Sequence, residues 1–253
     1  MQRGPDVTFS RPPLIEKSLG VEFGDPLSAQ TILYMSALWR NRYPTVQAQA
    51  PLLPQLPLGA TGSLIGLQLG VPFPRFWLIS VDDTKLIQIQ PDRLLVNWRL
   101  RDESTYPRYG ELRSELLELL REACDLLDEA RIVSVDASYF NLIRGVRPGS
   151  GLADVLVSAA ELPSDSNGTL VNVQILEVPP DGAPRSEFKL EAGQMKGSPS
   201  DIALNVFARS ELRGSAASSD VVRSGLDHVH EMCLDGFLRH TEESIQQSWE
   251  RVS

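Results

Sequence analysis

The sequence predicts an α+β fold: antiparallel sheets with long helices packed on one face, built as two similar α/β halves. Three observations predict it. Residues 75–100 hold three short β-type segments separated by turn residues, and a leucine stripe at helical spacing follows them. The second part of the chain repeats that succession of strands and then a long helix. Helices gathered on one face of antiparallel sheet are the layer solution such a pattern admits. The halves are drawn at residues 1–147 and 148–253.

Taken in order, Leu14 to Phe23 has β character, with apolar residues alternating at its end. Asp25-Pro26 opens a helix, proline suiting a first turn, with Ala29, Ile32, Leu33, Ser36 and Ala37 as its small-to-apolar face. That helix stops before Tyr43-Pro44, because a residue preceding proline avoids the α region. Pro44 to Pro74 holds six prolines and four glycines among many leucines, which predicts an irregular loop packed in part onto the body. Phe76–Val81, Lys85–Gln90 and Arg93–Leu100 read as a three-stranded antiparallel meander with turns at Asp82-Asp83 and Pro91-Asp92. One face of such a meander is expected to be buried.

Tyr109 to Asp128 reads as a helix, since Leu112, Leu116, Leu119, Ala123 and Leu126 fall on one stripe. Arg131 to Ile143 is a strand closing the first half. In the second, a short helix is expected near Leu152–Glu161. Strands follow near Thr169–Val178, Arg185–Gly193 and Asp201–Ser210, then a polar loop at Gly214–Ser219 and a helix from Gly225 to Arg251.

Composition bounds the function classes. The 253 residues are 42% hydrophobic and 23% charged, which is ordinary for a globular chain. No run approaches the roughly 20 apolar residues of a membrane-spanning helix, and Met1–Arg11 lacks the apolar stretch of a secretory signal. A cytoplasmic protein with no membrane partner is expected, in which Asn167-Gly168-Thr169 is no glycosylation site. Cys124 and Cys233, the only cysteines, fall in helical patterns and read as small buried apolar residues. Net charge is −9: residues 1–150 carry 16 basic and 17 acidic side chains, residues 151–253 carry 8 and 16. That imbalance disfavours nucleic acid and favours a basic protein partner.

Motifs of catalysis are missing. His228 and His230 sit two apart, which on a helix points them about 200° from one another, so they cannot share one metal ion. Gly59, Gly62, Gly66 and Gly70 lack the Lys-Ser/Thr of a phosphate loop, and Gly145–Gly151 lacks a dinucleotide fingerprint. No cofactor and no metal are expected. Asn97-Trp98-Arg99 and Tyr106-Pro107-Arg108-Tyr109 are the densest aromatic and guanidinium clusters. They suit base stacking or phosphate binding, and equally suit cementing a strand end to a helix start. Asn141 reads as bonding backbone at a sheet edge.

Phe76-Trp77-Leu78-Ile79-Ser80, Leu86-Ile87-Gln88-Ile89-Gln90, Asp92-Arg93, Asn97-Trp98-Arg99 and Tyr106-Pro107-Arg108-Tyr109 occur in that order. With Tyr139-x-Asn141-x-Ile143 and Leu226-Asp227-x-x-His230-Glu231, they resemble a sporadically distributed, largely uncharacterised family of bacterial proteins. The resemblance implies no catalytic residues. Its patchy distribution is similar to that of toxin–antitoxin and phage-defence genes.

The expected function is a non-enzymatic interaction protein of a bacterial conflict or defence system, antitoxin-like or immunity-like. It would bind a basic protein through an acidic surface that includes Asp235, Glu242 and Glu243. One alternative is nucleic-acid or small-ligand binding by Trp98, Arg99, Arg108 and Tyr109, with Asn141. Another is a hydrolase whose site includes His230 and Glu231.

Overall fold

The computed structural model describes residues 8–9, 12–52, 73–101, 106–127, 131–146, 151–157, 173–177, 186–195, 197–212, 218–249 and 251–252. The strands are β1 (Thr8–Phe9), β2 (Leu14–Phe23), β3 (Thr45–Gln49), β4 (Arg75–Ile79), β5 (Lys85–Gln90), β6 (Arg93–Arg99), β7 (Ile132–Ile143), β8 (Val173–Glu177), β9 (Ser186–Met195), β10 (Ser198–Glu211) and β11 (Arg251–Val252). The helices are α1 (Ala29–Leu38), α2 (Tyr109–Glu122), α3 (Ser219–His240) and α4 (Glu243–Ser248). Nine strands form one antiparallel sheet in the order β3-β4-β5-β6-β2-β7-β10-β9-β8, while β1 and β11 pair with each other.

The meander forms in the predicted order, with Phe76 opposite Ile89 and Lys85 opposite Trp98. β3, inside the segment read as irregular, adds an edge strand beside β4. The rest of that segment, 53–72, with its four glycines, lies outside the described residues, as does Asn167-Gly168-Thr169. The sheet runs on past residue 147, because β7 pairs with β10 from Ile143–Ile202 to Ser134–Glu211.

Helices α2 and α3 touch each other, α2 packing on β6 and β2 and α3 on β7, β10 and β9. Leu112, Leu116, Leu119 and Ala123 are all buried, as the leucine stripe requires. α1 joins this layer through α2: Trp39 Nε1 donates to Glu122 Oε2 at 3.0 Å, and the Tyr43 hydroxyl donates to Glu115. Its buried side chains are Ile32 and Met35, whereas Leu33 is 57% exposed, so the expected face is wrong. The aromatic anchors Trp39 and Tyr43 fix the helix's rotation, a tertiary choice that the small residues do not encode.

The terminal helix predicted over 225–251 is two helices. α3 begins at its cap Ser218, whose Oγ accepts from Val221 N–H, and ends at Thr241, which takes extended backbone (φ −99°, ψ 145°). The Thr241 hydroxyl donates to Phe237 O at 2.7 Å, and Gln246 Nε2 donates to Leu238 O and Thr241 O. Side-chain bonds of this kind compete with the helix ladder. They satisfy the last carbonyls of α3 and let α4 start afresh. Near residue 152 the structure has only a 3-10 turn, Gly151–Asp154, and Leu156 then bridges Thr241 as a strand would, so no helix runs on through 155–157; residues 158–161 lie outside the described residues.

The sheet's second face is not a solvated one, contrary to expectation. Gln88, Gln90, Arg93, Asn97, Asp136 and Arg209 are buried there. A ladder of polar bonds crosses it: Arg75 Nη1 and Trp77 Nε1 donate to Gln88 Oε1, Gln88 Nε2 donates to Asn97 Oδ1, and Asn97 Nδ2 donates to Glu16 Oε1. Buried polar groups persist when bonded in this way.

Candidate functional site

Strand β2 places its apolar residues Leu19, Val21 and Phe23 toward the helices, and the same alternation places Lys17 there too. Lys17 has no exposed surface. Its Nζ lies 5.3, 5.3 and 5.1 Å from the ring centroids of Tyr106, Tyr109 and Tyr139. Its single hydrogen bond among the described residues goes to the Tyr106 hydroxyl at 3.4 Å. Lysine is almost never fully buried without a carboxylate partner. Burial accordingly pushes the ammonium down to about 7. The rings offset part of this cost, since a desolvated cation–π contact contributes about 2 kcal/mol or more.

The rings around the amine are polar but uncharged, and the Glu111 carboxylate is the charged group near it. Tyr109 stacks on His230 with centroids 3.8 Å apart, and the Tyr139 hydroxyl lies 2.6 Å from His230 Nδ1. Burial, with the Lys17 charge beside it, pushes His230 down to about 3, so its imidazole is neutral. Burial also pushes Tyr106 up to about 12 and raises Tyr109, Tyr139 and the Cys233 thiol. Tyr109 donates to Asp227 Oδ1 at 2.8 Å, and Arg113 pairs with the same carboxylate. That pairing fixes the Tyr109 ring over His230.

A cavity of about 80 Å³ opens beside this cluster, between the sheet and α3. Its polar wall is Tyr106, Tyr139, Asn141, His230 and Cys233, and its apolar wall includes Leu14, Val206, Leu234 and Phe237. The β2–β7 register shifts between Leu14 and Glu16, so Leu14 pairs with Asn141. Such a bulge re-aims side chains, and here it turns Leu14 inward against the alternation of β2. A larger groove of about 460 Å³, with Ile15, Leu100, Leu142 and Trp249 in its walls, shares Pro12, Pro13 and Leu14 with the cavity. Groove and cavity therefore adjoin through this short segment.

The residues singled out in the sequence are divided by the fold. Trp98 and Arg99 are consecutive on β6 and point to opposite faces. Trp98 is buried and meets Tyr106 edge-on, with centroids 5.4 Å apart. Arg99 stands on the polar face, paired with Asp83 and 5.7 Å from the Trp77 ring. Arg108 is exposed at the start of α2, its backbone N–H donating to Glu111. Tyr109 joins the Lys17 cluster, and Asn141 lines the cavity while its amide donates to Tyr139 O and Leu204 O. His230 faces the cavity, while its neighbour Glu231 is exposed. Asp235 and Glu243 are exposed and Glu242 is half-buried; among the described residues none of the three has a cationic partner.

Lys17, Tyr139 and Cys233 escaped notice as site residues. A signal for Lys17 existed: stepping back by two from Phe23, Val21 and Leu19 lands on it, a charged side chain at an inward position. Cys233 is a buried free thiol, as its helical pattern implied, and the side chain of Cys124 lies outside the described residues. Among the described residues, no group of three His, Cys, Asp or Glu side chains is placed to hold a metal ion. No family model matches the chain, and no curated protein matches it.

Proposed function

We propose that this chain is a small-molecule-binding protein whose ligand enters by the groove at Pro12–Leu14 and seats its polar end in the tyrosine-lined cavity. One observation carries the reading: Lys17 is wholly buried, has no carboxylate partner among the described residues, and sits directly behind two tyrosines of the cavity wall. An apolar concavity with a few convergent polar groups and perturbed titration is the usual form of a ligand site. A fragment screen followed by NMR tests it. Fragments should shift the His230 imidazole and Asn141 amide resonances, and Val206→Phe, which fills the cavity, should abolish those shifts. A screen with no hits, or hits indifferent to Val206→Phe, would overturn the reading.

A second reading is supported by the unpaired acids Asp235, Glu242 and Glu243. It is a docking surface for a basic protein partner, with the antitoxin-like or immunity-like role that the resemblance implies. Two of these acids begin α4, where carboxylates favour the helix dipole without any partner. Reversing all three to Lys should slow association with a copurified partner and flatten its salt dependence, because rim charges act on association rate. A rate unmoved by salt and by charge reversal would end this reading.

A further inference from the structure

In its ammonium form Lys17 donates to the Tyr106 hydroxyl, and the hydroxyl's own proton has no acceptor among the described residues. Tyr106 is also part of the cavity wall. A buried O–H left without an acceptor costs free energy, and the adjacent cation makes that O–H a stronger donor. The side chain of Asn141 spends its two donors on backbone carbonyls, and His230 Nδ1 is engaged with Tyr139. The wall is therefore short of an acceptor and of a negative charge at one point, beside Lys17. The adjoining groove is walled mainly by apolar side chains.

We propose that the pocket takes a small organic carboxylate with an apolar body, its head accepting from Tyr106 and supplying the counter-charge that buried Lys17 lacks. This rests on the cavity being a ligand site and names the class of ligand. Tyr106, Tyr109 and Glu111 face the amine from the α2 side, Tyr139 from β7, and His230 and Cys233 from α3. The tyrosines, the imidazole and the thiol are uncharged at neutral pH. That leaves Glu111 as the charged neighbour, and it makes no hydrogen bond to the amine. A bound carboxylate thus becomes the principal partner, and it draws a proton onto Lys17 from solution. In the free protein the amine titrates at about 7. Carboxylate affinity should consequently fall by about tenfold for each pH unit above that value, until the amine of the complex itself titrates.

Calorimetric titration with butyrate and benzoate, and with their uncharged isosteres butyramide and benzamide, tests the assignment. At about pH 8, in buffers of high and low ionisation enthalpy, each acid should bind with uptake of close to one proton. It should bind about tenfold more tightly than its amide, the scale of one nearby charge. Lys17→Met keeps the apolar stem, and it should erase both the preference and the proton uptake while changing amide affinity little. Tyr106→Phe should weaken both, the acids more than the amides, because the hydroxyl's bond to a carboxylate is stronger than its bond to an amide carbonyl. Amides binding as well as acids, or a preference that survives Lys17→Met, overturns the carboxylate assignment and leaves a site for neutral ligands. Failure of both classes to bind overturns the assignment together with the pocket reading beneath it.

Discussion

Lys17 shows what one inward side chain does to a strand. In the unfolded chain its amine titrates near the ordinary 10.5, whereas in the fold it titrates at about 7. Between those values the unfolded state holds more protons, so the stability of the fold must rise with pH across that window. Below it both states are charged, and the burial cost is present in full. Urea unfolding from about pH 7 to pH 10 should show the rise in the native chain and not in Lys17→Met, which should also be the more stable of the two at neutral pH. Parallel profiles for the two proteins would mean that the amine is solvated. His230 acts in the other acid range: its folded value of about 3 lies below the ordinary 6.5. Stability should therefore fall as pH drops through that interval. Asp136 runs opposite, raised to about 6 by burial despite Arg93 and Arg209 nearby. Its carboxylate lies over Gly20, where an added Cβ would stand 2.8 Å from Oδ1. Gly20→Ala should thus destabilise the polar face, and the effect should shrink in an Asp136→Ala background.

At the scale of elements, the helix–sheet contacts have sharp tolerances. An added Cβ at Gly236 of α3 would lie 2.1 Å from Phe188 Cε2 on β9. Alanine would gain about 1 kcal/mol of helix propensity over glycine. Overpacking of about 1–3 kcal/mol should outweigh it. Gly236→Ala should lower the urea midpoint, and adding Phe188→Leu should recover part of the loss, a coupling that a double-mutant cycle measures. A more stable Gly236→Ala protein would show that α3 sits farther from β9. On α2, Leu116 has no exposed surface, so Leu116→Ala should cost about 2–5 kcal/mol. These elements differ in how plainly the sequence announces them. The period-three-to-four leucines of α2 and the alternation in β4, β5 and β6 specify their partners locally, and both were legible. The buried face of α1 was not, because Trp39 and Tyr43 reach carboxylates of α2 that lie 83 and 72 residues away in the chain. Nor was the break at Thr241, which depends on Gln246 folding back onto the end of α3. The pocket was legible only in fragments: Tyr109, Asn141 and His230 were noticed singly, and it takes β2, β7 and α3 side by side to assemble them around Lys17.

For the molecule as a whole, the question is whether residues 1–147 and 148–253 unfold as one body or two. β2 and β7 lie at the centre of the sheet, and β7 is hydrogen-bonded on one side to β2 and on the other to β10. Separating the halves would strip β7 of its β10 partner and create a long open edge, a liability for any sheet. It would also remove α3, which covers β7 and supplies the His230 and Cys233 side of the Lys17 cluster. Short insertions at the boundary cost little by comparison, since loop closure grows slowly with length. We therefore expect a single cooperative transition, with tryptophan fluorescence and far-ultraviolet circular dichroism giving coincident midpoints in urea. Trp98 reports on the first half and Trp249 on the second, so variants keeping only one tryptophan can be followed separately. Residues 1–147 produced alone should be aggregated or only partly folded, and adding residues 148–253 in trans should restore the dispersed spectrum of the intact chain. Two resolved transitions, or a well-folded soluble 1–147 fragment, would show that the boundary separates independent bodies. The cavity beside Lys17 would then have to be regarded as an interface between them.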